Sequence, residues 1–181
     1  MKGPRSASGI LDYVLVGLAA VAVGVAVLSY ANRPSQPPLP TGPRIGSVLG
    51  RISAVSSNGT TEAVSAAGPT PFTVILGFSP ECPYCETNAP RWSELVGRLP
   101  NGVHVVAVSD GVRERAQSWL DHHSVKVDRL VIPSEGRAFA QWGIVATPTT
   151  IVVDQGSRVV FAHLGVLQPG DVAEVVRDAT R

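Results

Sequence analysis

Two cysteines, Cys82 and Cys85, carry the clearest chemistry in the sequence, and they are its only cysteines. They lie in the segment SPECPYC (79–85), between a predicted buried strand and a predicted amphipathic helix. A thiolate at a helix N-terminus faces unpaired backbone N–H groups and the positive end of the helix dipole, which lower its pKa. Pro83 suits the first helical turn, where no N–H is needed. The spacing therefore predicts that Cys82 attacks a disulfide and that Cys85 resolves the resulting mixed disulfide.

Three alternatives compete with redox chemistry at this pair. A structural disulfide would close only a four-residue loop and would stabilise the chain weakly. A metal site would need histidine ligands, yet His104, His122 and His123 have no ligand spacing to the cysteines. Chance occurrence is the third alternative, and the strand–helix junction disfavours it. Redox function is favoured over all three, and it requires no metal or organic cofactor.

Strand and helix signals alternate around the cysteines. The predicted strands are Arg51–Val55, Phe72–Phe78, Val103–Val108, Thr149–Val153 and Val159–Leu164, with a short apolar stretch at Leu130–Ile132. Four helices are predicted. The first contains Trp92, Leu95, Val96 and Leu99, the second spans Gly111–His123, the third spans Glu135–Trp142, and the last follows Asp171. This order predicts an α/β fold in which helices flank a mixed central sheet.

Several side chains are expected to define the helix faces and ends. Val112, Ala116 and Leu120 should form one buried stripe, and Asp171 should cap the last helix. The last helix should turn inward Val172, Val175, Val176 and Ala179. Core positions are expected for the three tryptophans, Trp92, Trp119 and Trp142. Trp142 is also a candidate for lining the site, because it precedes Pro148 by six residues.

The N-terminal part of the sequence has a different composition. After a short tail (1–12), residues 13–30 form an uncharged apolar run, which would span about 27 Å as a helix, close to the bilayer core. We expect a retained transmembrane anchor there, with a cleaved signal peptide as the rival. A proline-rich linker (31–44) and a domain (45–181) should follow. With 15 basic and 14 acidic side chains, the sequence lacks the excess of positive charge that is typical of nucleic-acid-binding proteins.

Three sequence features together resemble the thioredoxin fold, in particular the membrane-anchored proteins of the TlpA/ResA type. They are the cysteine motif after a buried strand, Pro90 five residues after Cys85, and the segment VATPTT (145–150) about 65 residues downstream of the cysteines. The phrase GFSPECPYC (77–85) also resembles the active-site segment of MauD-type proteins. The resemblance covers about 45–181.

The resemblance implies a thiol–disulfide oxidoreductase, and this redox chemistry favours a domain on the extracytoplasmic or periplasmic side of the cell membrane. It implies a cis bond before Pro148, beside the cysteine pair, and a Thr147 backbone that pairs with the substrate. Supporting roles would belong to Pro83, Tyr84 and Pro90. The implied partners are proteins with thiols or disulfides, such as an apocytochrome, a membrane thiol–disulfide electron partner, and the bilayer itself through 13–30.

The sequence departs from the family pattern where a buried carboxylate would be expected. Thioredoxins proper have Trp and Asp where this chain has Glu81 and Leu76, and the related cytochrome-maturation proteins often have Glu at the position of Asn88. Glu81, Glu86 or water could accept the proton of Cys85, although solvation at the surface is the expected state of both glutamates. Both the proton acceptor and the direction of electron flow therefore stay open.

Two other functions were weighed against exchange. A copper-binding domain or metallochaperone could use the thiols as soft ligands, with His163 as the candidate histidine. A thiol peroxidase fits less well, because Ile75 and Ser79 occupy the places of the Pro and Thr in the peroxidase motif.

Overall fold

The computed structural model describes residues 8–31 and 42–179. The chain divides into two units, Met1–Leu39 and Pro40–Arg181. In the first unit, helix α1 spans Ser8–Ala31, and large apolar side chains such as Tyr13 and Val16 are exposed. Within residues 8–31 and 42–179, no helix is both long enough and apolar enough to cross a membrane. The anchor at 13–30 stays a prediction, and most of the predicted linker, at 32–41, lies outside the described residues.

The second unit is built on a mixed β-sheet. Its strands are β1 (Ile52–Val55), β2 (Thr61–Val64), β3 (Phe72–Phe78), β4 (His104–Ser109), β5 (Arg129–Pro133), β6 (Thr149–Asp154) and β7 (Val159–Leu164). Its helices are α2 (Pro83–Arg98), α3 (Arg113–His122), α4 (Gly136–Gln141) and α5 (Pro169–Asp178). The described strands follow the order β2-β1-β5-β4-β3-β6-β7. β3, β4 and β5 are parallel, and the other pairs are antiparallel, which confirms the predicted mixed sheet.

Side chains of β3 alternate between two buried layers, as the period of a strand requires. Val74, Leu76 and Phe78 point to one side, where they pack with residues of α2, α3 and α5. Ile75 points to the other side and packs with Trp142 and with residues of β1. We name the first side the cysteine face, because Cys85 belongs to its core, and the second the opposite face.

Two predicted helix starts are wrong. α3 begins at Arg113, so Val112 precedes the helix, and its side chain is 61% exposed instead of joining the buried stripe. α5 begins at Pro169 after Gln168, because proline is preorganised for the first helical position. Asp171 is therefore not the cap residue. Its carboxylate lies inside the first turn and accepts a hydrogen bond from the Gln168 N–H at 2.7 Å.

The structure also adds and shortens elements. β2 was not predicted; it pairs with β1 across the turn at 57–59. β5 occupies the short apolar stretch at 130–132, and α4 is shorter than predicted at both ends. In α5, Val172 and Val175 are fully buried as expected, whereas Val176 is only partly buried.

The end of the predicted linker packs on the second unit. Pro43 lies against Gly143, which has a positive φ of 71°. A Cβ at this glycine would come within 2.9 Å of the Pro43 backbone, so both the conformation and the close approach require glycine.

Candidate active site

The turn that carries both cysteines lies where β3 ends and α2 begins. The Cys82 N–H donates to the Ser79 carbonyl at 3.1 Å, and the Cys85 N–H donates to the Cys82 carbonyl at 3.0 Å. Cys82 directly precedes the helix, and Pro83 is its first residue, as predicted. Both cysteines are free thiols, with Cys82 partly exposed and Cys85 fully buried. A partner molecule can therefore approach Cys82 but not Cys85.

The Thr147–Pro148 segment lies beside Cys82, although the two are far apart in sequence. The Thr147–Pro148 bond is cis, as the resemblance implied. The Cys82 thiol donates to the Thr147 carbonyl at an Sγ–O distance of 3.3 Å. Pro148 is buried while Thr147 is only partly so, which leaves part of Thr147 accessible next to the sulfur.

The two thiols have opposite acidities. Partial burial opposes ionisation of Cys82, but hydrogen bonds from the Thr147 and Cys85 side chains and from the Tyr84 and Cys85 backbone outweigh it, so the pKa of Cys82 is lowered. Burial raises the pKa of Cys85 to about 12. Since the thiolate is the nucleophilic form of cysteine, Cys82 is the more nucleophilic of the two sulfurs near neutral pH, whereas Cys85 stays protonated in the core.

One face of α2 carries the residues that fix the cysteine turn on the sheet. That buried face consists of Cys85, Asn88, Ala89, Trp92 and Leu95. The Trp92 indole N–H donates to the Thr150 hydroxyl at 2.9 Å, and both groups are buried. Pro90 lies within the same helix on its exposed side, where it removes the hydrogen bond that its N–H would make to the Glu86 carbonyl.

Asn88 ties α2 to the loop before α5. Its side chain is fully buried, and its Oδ1 accepts a hydrogen bond from the Leu167 N–H at 2.8 Å. Within the part of the chain that the structure describes, its Nδ2 has no hydrogen-bond partner. An amide cannot take the proton of Cys85 near neutral pH, and Leu76, also fully buried, cannot do so at any pH.

The two glutamates near the cysteines are exposed, as expected, but each also has a specific partner. Glu81 pairs with Arg115 at 3.0 Å and accepts from Ser79, and these hydrogen bonds lower the pKa of its carboxyl. Glu81 is thereby a weak base. Glu86 accepts from the indole N–H of Trp119 and lies 2.9 Å from Nε2 of His123.

The tryptophans are core residues, as predicted. Trp92 and Trp119 pack around Phe78 on the cysteine face, with ring centroids 6.5 and 4.8 Å from it. Trp142 is fully buried on the opposite face, where its N–H donates to the Gly50 carbonyl at 2.7 Å. The suggestion that Trp142 lines the site is therefore wrong, because the sheet separates it from the core of Cys85.

The residues that the two alternative functions would use each have other contacts in the structure. His163 is 3.7 Å from the Asp171 carboxylate. Among the described residues, no group of three or more His, Cys, Asp and Glu side chains could hold a metal ion. Ile75 is buried on the opposite face, and the Ser79 hydroxyl donates to Glu81.

Comparison with known proteins agrees with this architecture. One solved structure, the thioredoxin domain of a thiol–disulfide oxidoreductase from Bacteroides vulgatus, matches with a TM-score of 0.58 and 16% identity over 76% of this chain and 99% of that one. The second unit is thus a thioredoxin-like α/β fold. A family model matches residues 53–162, and the chain belongs to the AhpC/TSA family.

Two curated relatives come from Paracoccus denitrificans. A thiol:disulfide interchange protein DsbE homolog is 33% identical over 48% of this chain and 46% of its own length. The methylamine utilization protein MauD is 30% identical over 55% of this chain and 51% of its own length. The chain thus matches about half the length of each relative.

Sequence reasoning did not assign the buried contact between Asn88 and Leu167. Asn88 shares the helical spacing of Cys85, Trp92 and Leu95, so its burial could have been inferred from that pattern. Its partner Leu167 lies 79 residues away, and no local signal connects the two.

Proposed function

We propose that this protein is a thiol–disulfide oxidoreductase in which Cys82 attacks and Cys85 resolves. One observation carries the proposal: an accessible thiol of lowered pKa and a buried thiol with a pKa of about 12 share one helical turn beside a cis-proline segment. This arrangement favours Cys82 as the sulfur that meets a partner. The names of the two curated relatives, a disulfide interchange protein homolog and MauD, are consistent with it.

The exchange balances without a cofactor. The Cys82 thiolate attacks a client disulfide, so one client sulfur leaves as a thiolate and the other forms a mixed disulfide with Cys82. Cys85 then attacks the Cys82 sulfur, and the second client thiolate leaves. The proton of Cys85 passes to a client thiolate directly or through water. The client gains two electrons, and a Cys82–Cys85 disulfide remains; the reverse sequence oxidises a client.

The client would lie along the Thr147–Pro148 segment. We infer pairing of an extended client with the Thr147 backbone, supported by the partial exposure of this residue next to Cys82. Tyr84, whose side chain is 68% exposed within the cysteine turn, would add an apolar contact. Pro83 and Pro90 shape the helix that presents the thiols.

The N-terminal unit would tether the domain to a membrane. The proposal is an anchor at 13–30 and a linker at 31–44, with the domain on the extracytoplasmic side, and it rests on the uncharged apolar run and on exposed side chains such as Val16. The partners would be secreted clients, such as an apocytochrome, and a membrane thiol–disulfide protein. If residues 1–31 are removed, the protein should leave the membrane fraction during alkaline carbonate extraction; retention there would contradict the anchor.

Trapping of mixed disulfides tests the exchange. In cells that make the full chain, Cys85→Ser should accumulate client adducts through Cys82, because no second thiol releases them. Cys82→Ser, the matched control, should accumulate almost none. Full insulin-reducing activity in both variants would contradict the proposal. The reduction potential then assigns the direction, since about −270 mV is typical of a reductase such as thioredoxin and about −120 mV of an oxidant.

A further inference from the structure

A chain of hydrogen bonds leads from the attacking cysteine to the loop that follows β7. Cys82 donates to the Thr147 carbonyl at 3.3 Å. The carbonyl of the next residue, Pro148, accepts from the Gly165 N–H at 2.8 Å. The Thr147–Pro148 segment, which contacts Cys82, is therefore hydrogen-bonded to Gly165, the first residue after β7.

The same loop is held to the active-site helix by one side chain. Leu167, two residues after Gly165, donates its N–H to Asn88 Oδ1 at 2.8 Å. Asn88 lies one turn after Cys85 on the buried face of α2. The contacts thus close a ring: from the cysteine turn to the cis-proline segment, to the 165–167 loop, and back to α2.

We propose that Asn88 is a positioning residue, which holds the 165–167 loop against α2 and thereby keeps the Thr147–Pro148 segment beside Cys82. Asn88 is fully buried and Leu167 is 1% exposed, so water cannot replace the bond between them. Without the Asn88 carbonyl, the Leu167 N–H would be a buried donor with no acceptor. The loop would then shift toward solvent or another acceptor, and Gly165 would move with it.

The unpaired half of the same amide supports this role. Within the described ranges Nδ2 has no partner, and a buried N–H without an acceptor is unfavourable. An apolar residue at this position would remove that penalty, so the benefit of asparagine in this fold lies in its carbonyl. That carbonyl makes one contact, the bond to the loop behind the cis-proline.

A second hydrogen bond holds α2 to the sheet, so the expected effect of losing the Asn88 bond is local. Trp92 holds Thr150 of β6 independently of Asn88. Loss of the Asn88 bond should therefore leave the sheet and α2 in place and disturb the 165–167 loop and the segment before β6. The inference rests on the proposed function in one respect, namely that Cys82 is the reactive sulfur.

The test measures the acidity of Cys82 in the reduced full-length protein. The Thr147 side chain helps to lower the pKa of Cys82, so displacement of that side chain should raise this pKa. For Asn88→Ala we expect an increase of about half a pH unit, seen as about threefold slower alkylation by iodoacetamide at neutral pH. Well above pH 9 the rates of the variant and the native chain should converge, because Cys82 is then ionised in both proteins.

Thr73→Val is the matched control. The buried Thr73 hydroxyl accepts from the Gly68 N–H at 2.7 Å, the same kind of bond, but on the opposite face. Both variants should lose stability in urea, and only Asn88→Ala should change the pKa of Cys82. An unchanged pKa in Asn88→Ala, or an equal change in Thr73→Val, would overturn the inference. If Asn88→Ala does not fold, Asn88→Leu, which keeps the site filled, is read by the same criteria.

The outcome separates this inference from the proposed function. Alkylation reports the acidity of Cys82 whether or not the protein exchanges disulfides. Failure of the native chain to exchange disulfides would refute the function, whereas an unchanged Cys82 pKa in the Asn88 variant would refute only the positioning role.

Discussion

The two faces of the central sheet differ in how their buried polar groups are used. On the cysteine face, Trp92 and Asn88 of α2 reach across to Thr150 and Leu167, next to the segments that surround the thiols. On the opposite face, the Trp142 N–H donates to the carbonyl of Gly50, which has no part in the proposed chemistry.

Both faces have a fully buried tryptophan and a continuous apolar core, so the apolar content does not distinguish them. The two faces differ in which segments their buried hydrogen bonds connect. An apolar contact is non-directional and tolerates small shifts, whereas a buried hydrogen bond constrains distance and angle. The hydrogen bonds of Trp92 and Asn88 connect α2 to the segments around the cis-proline, whereas that of Trp142 holds the Gly50 backbone on the opposite face.

The largest expected contrast is in alkylation rate, between the partly exposed Cys82 and the buried Cys85 of the cysteine face. Because the pKa of Cys82 is lowered and that of Cys85 is about 12, Cys82 should be alkylated more than about a thousandfold faster at neutral pH. With rising pH, the Cys82 rate should level off earlier than that of an ordinary cysteine, while the Cys85 rate should still be rising at pH 11. Mass spectrometry of briefly treated reduced protein identifies the modified residue, and comparable labelling of both would contradict the assignment.

Adjacent residues of β3 allow the faces to be compared directly. Leu76→Ala and Ile75→Ala each remove a fully buried side chain, and each should lower the free energy of unfolding by about 2–5 kcal/mol in urea titrations. The cavity of Leu76→Ala opens in the core of Cys85, so the pKa of Cys85 should fall toward its ordinary value. Ile75→Ala should leave it unchanged. Equal changes in both variants would mean that the sheet does not insulate the site.

The smallest expected effect concerns single hydrogen bonds. Trp92→Phe and Trp142→Phe each remove one indole N–H, and each should lower the free energy of unfolding by at least about 1 kcal/mol. Only Trp92→Phe frees Thr150, two residues after Pro148, so only that variant should change the reduction potential of the cysteine pair. Equilibration with glutathione redox buffers measures the potential, and a change in Trp142→Phe alone would reverse the comparison.

Much of this molecule could be predicted from local sequence. The buried strand Phe72–Phe78, the cysteine turn and the inward residues of α2 follow from periodicity and from proline at a helix start. The start of α5 was predicted too late, because Asp171 has the chemistry of a cap residue and Pro169 competes for the same turn. The charge partners of Glu81 and Glu86 were missed, because both lie on α3 or its C-terminal end and depend on how that helix packs.

The sequence by itself determined which residues could react, since thiol pairs at a strand–helix junction have few other uses and the cysteine spacing is local. The period of the strand also determined that successive side chains of β3 pack into two different cores. Only the tertiary structure decided that the thiols differ in acidity, because burial of Cys85 and the contact of Cys82 with Thr147 bring together segments 65 residues apart. It also decided that the Asn88 side chain bonds to a loop 79 residues away. Such contacts depend on the packing of the whole sheet, and no short stretch of sequence encodes them.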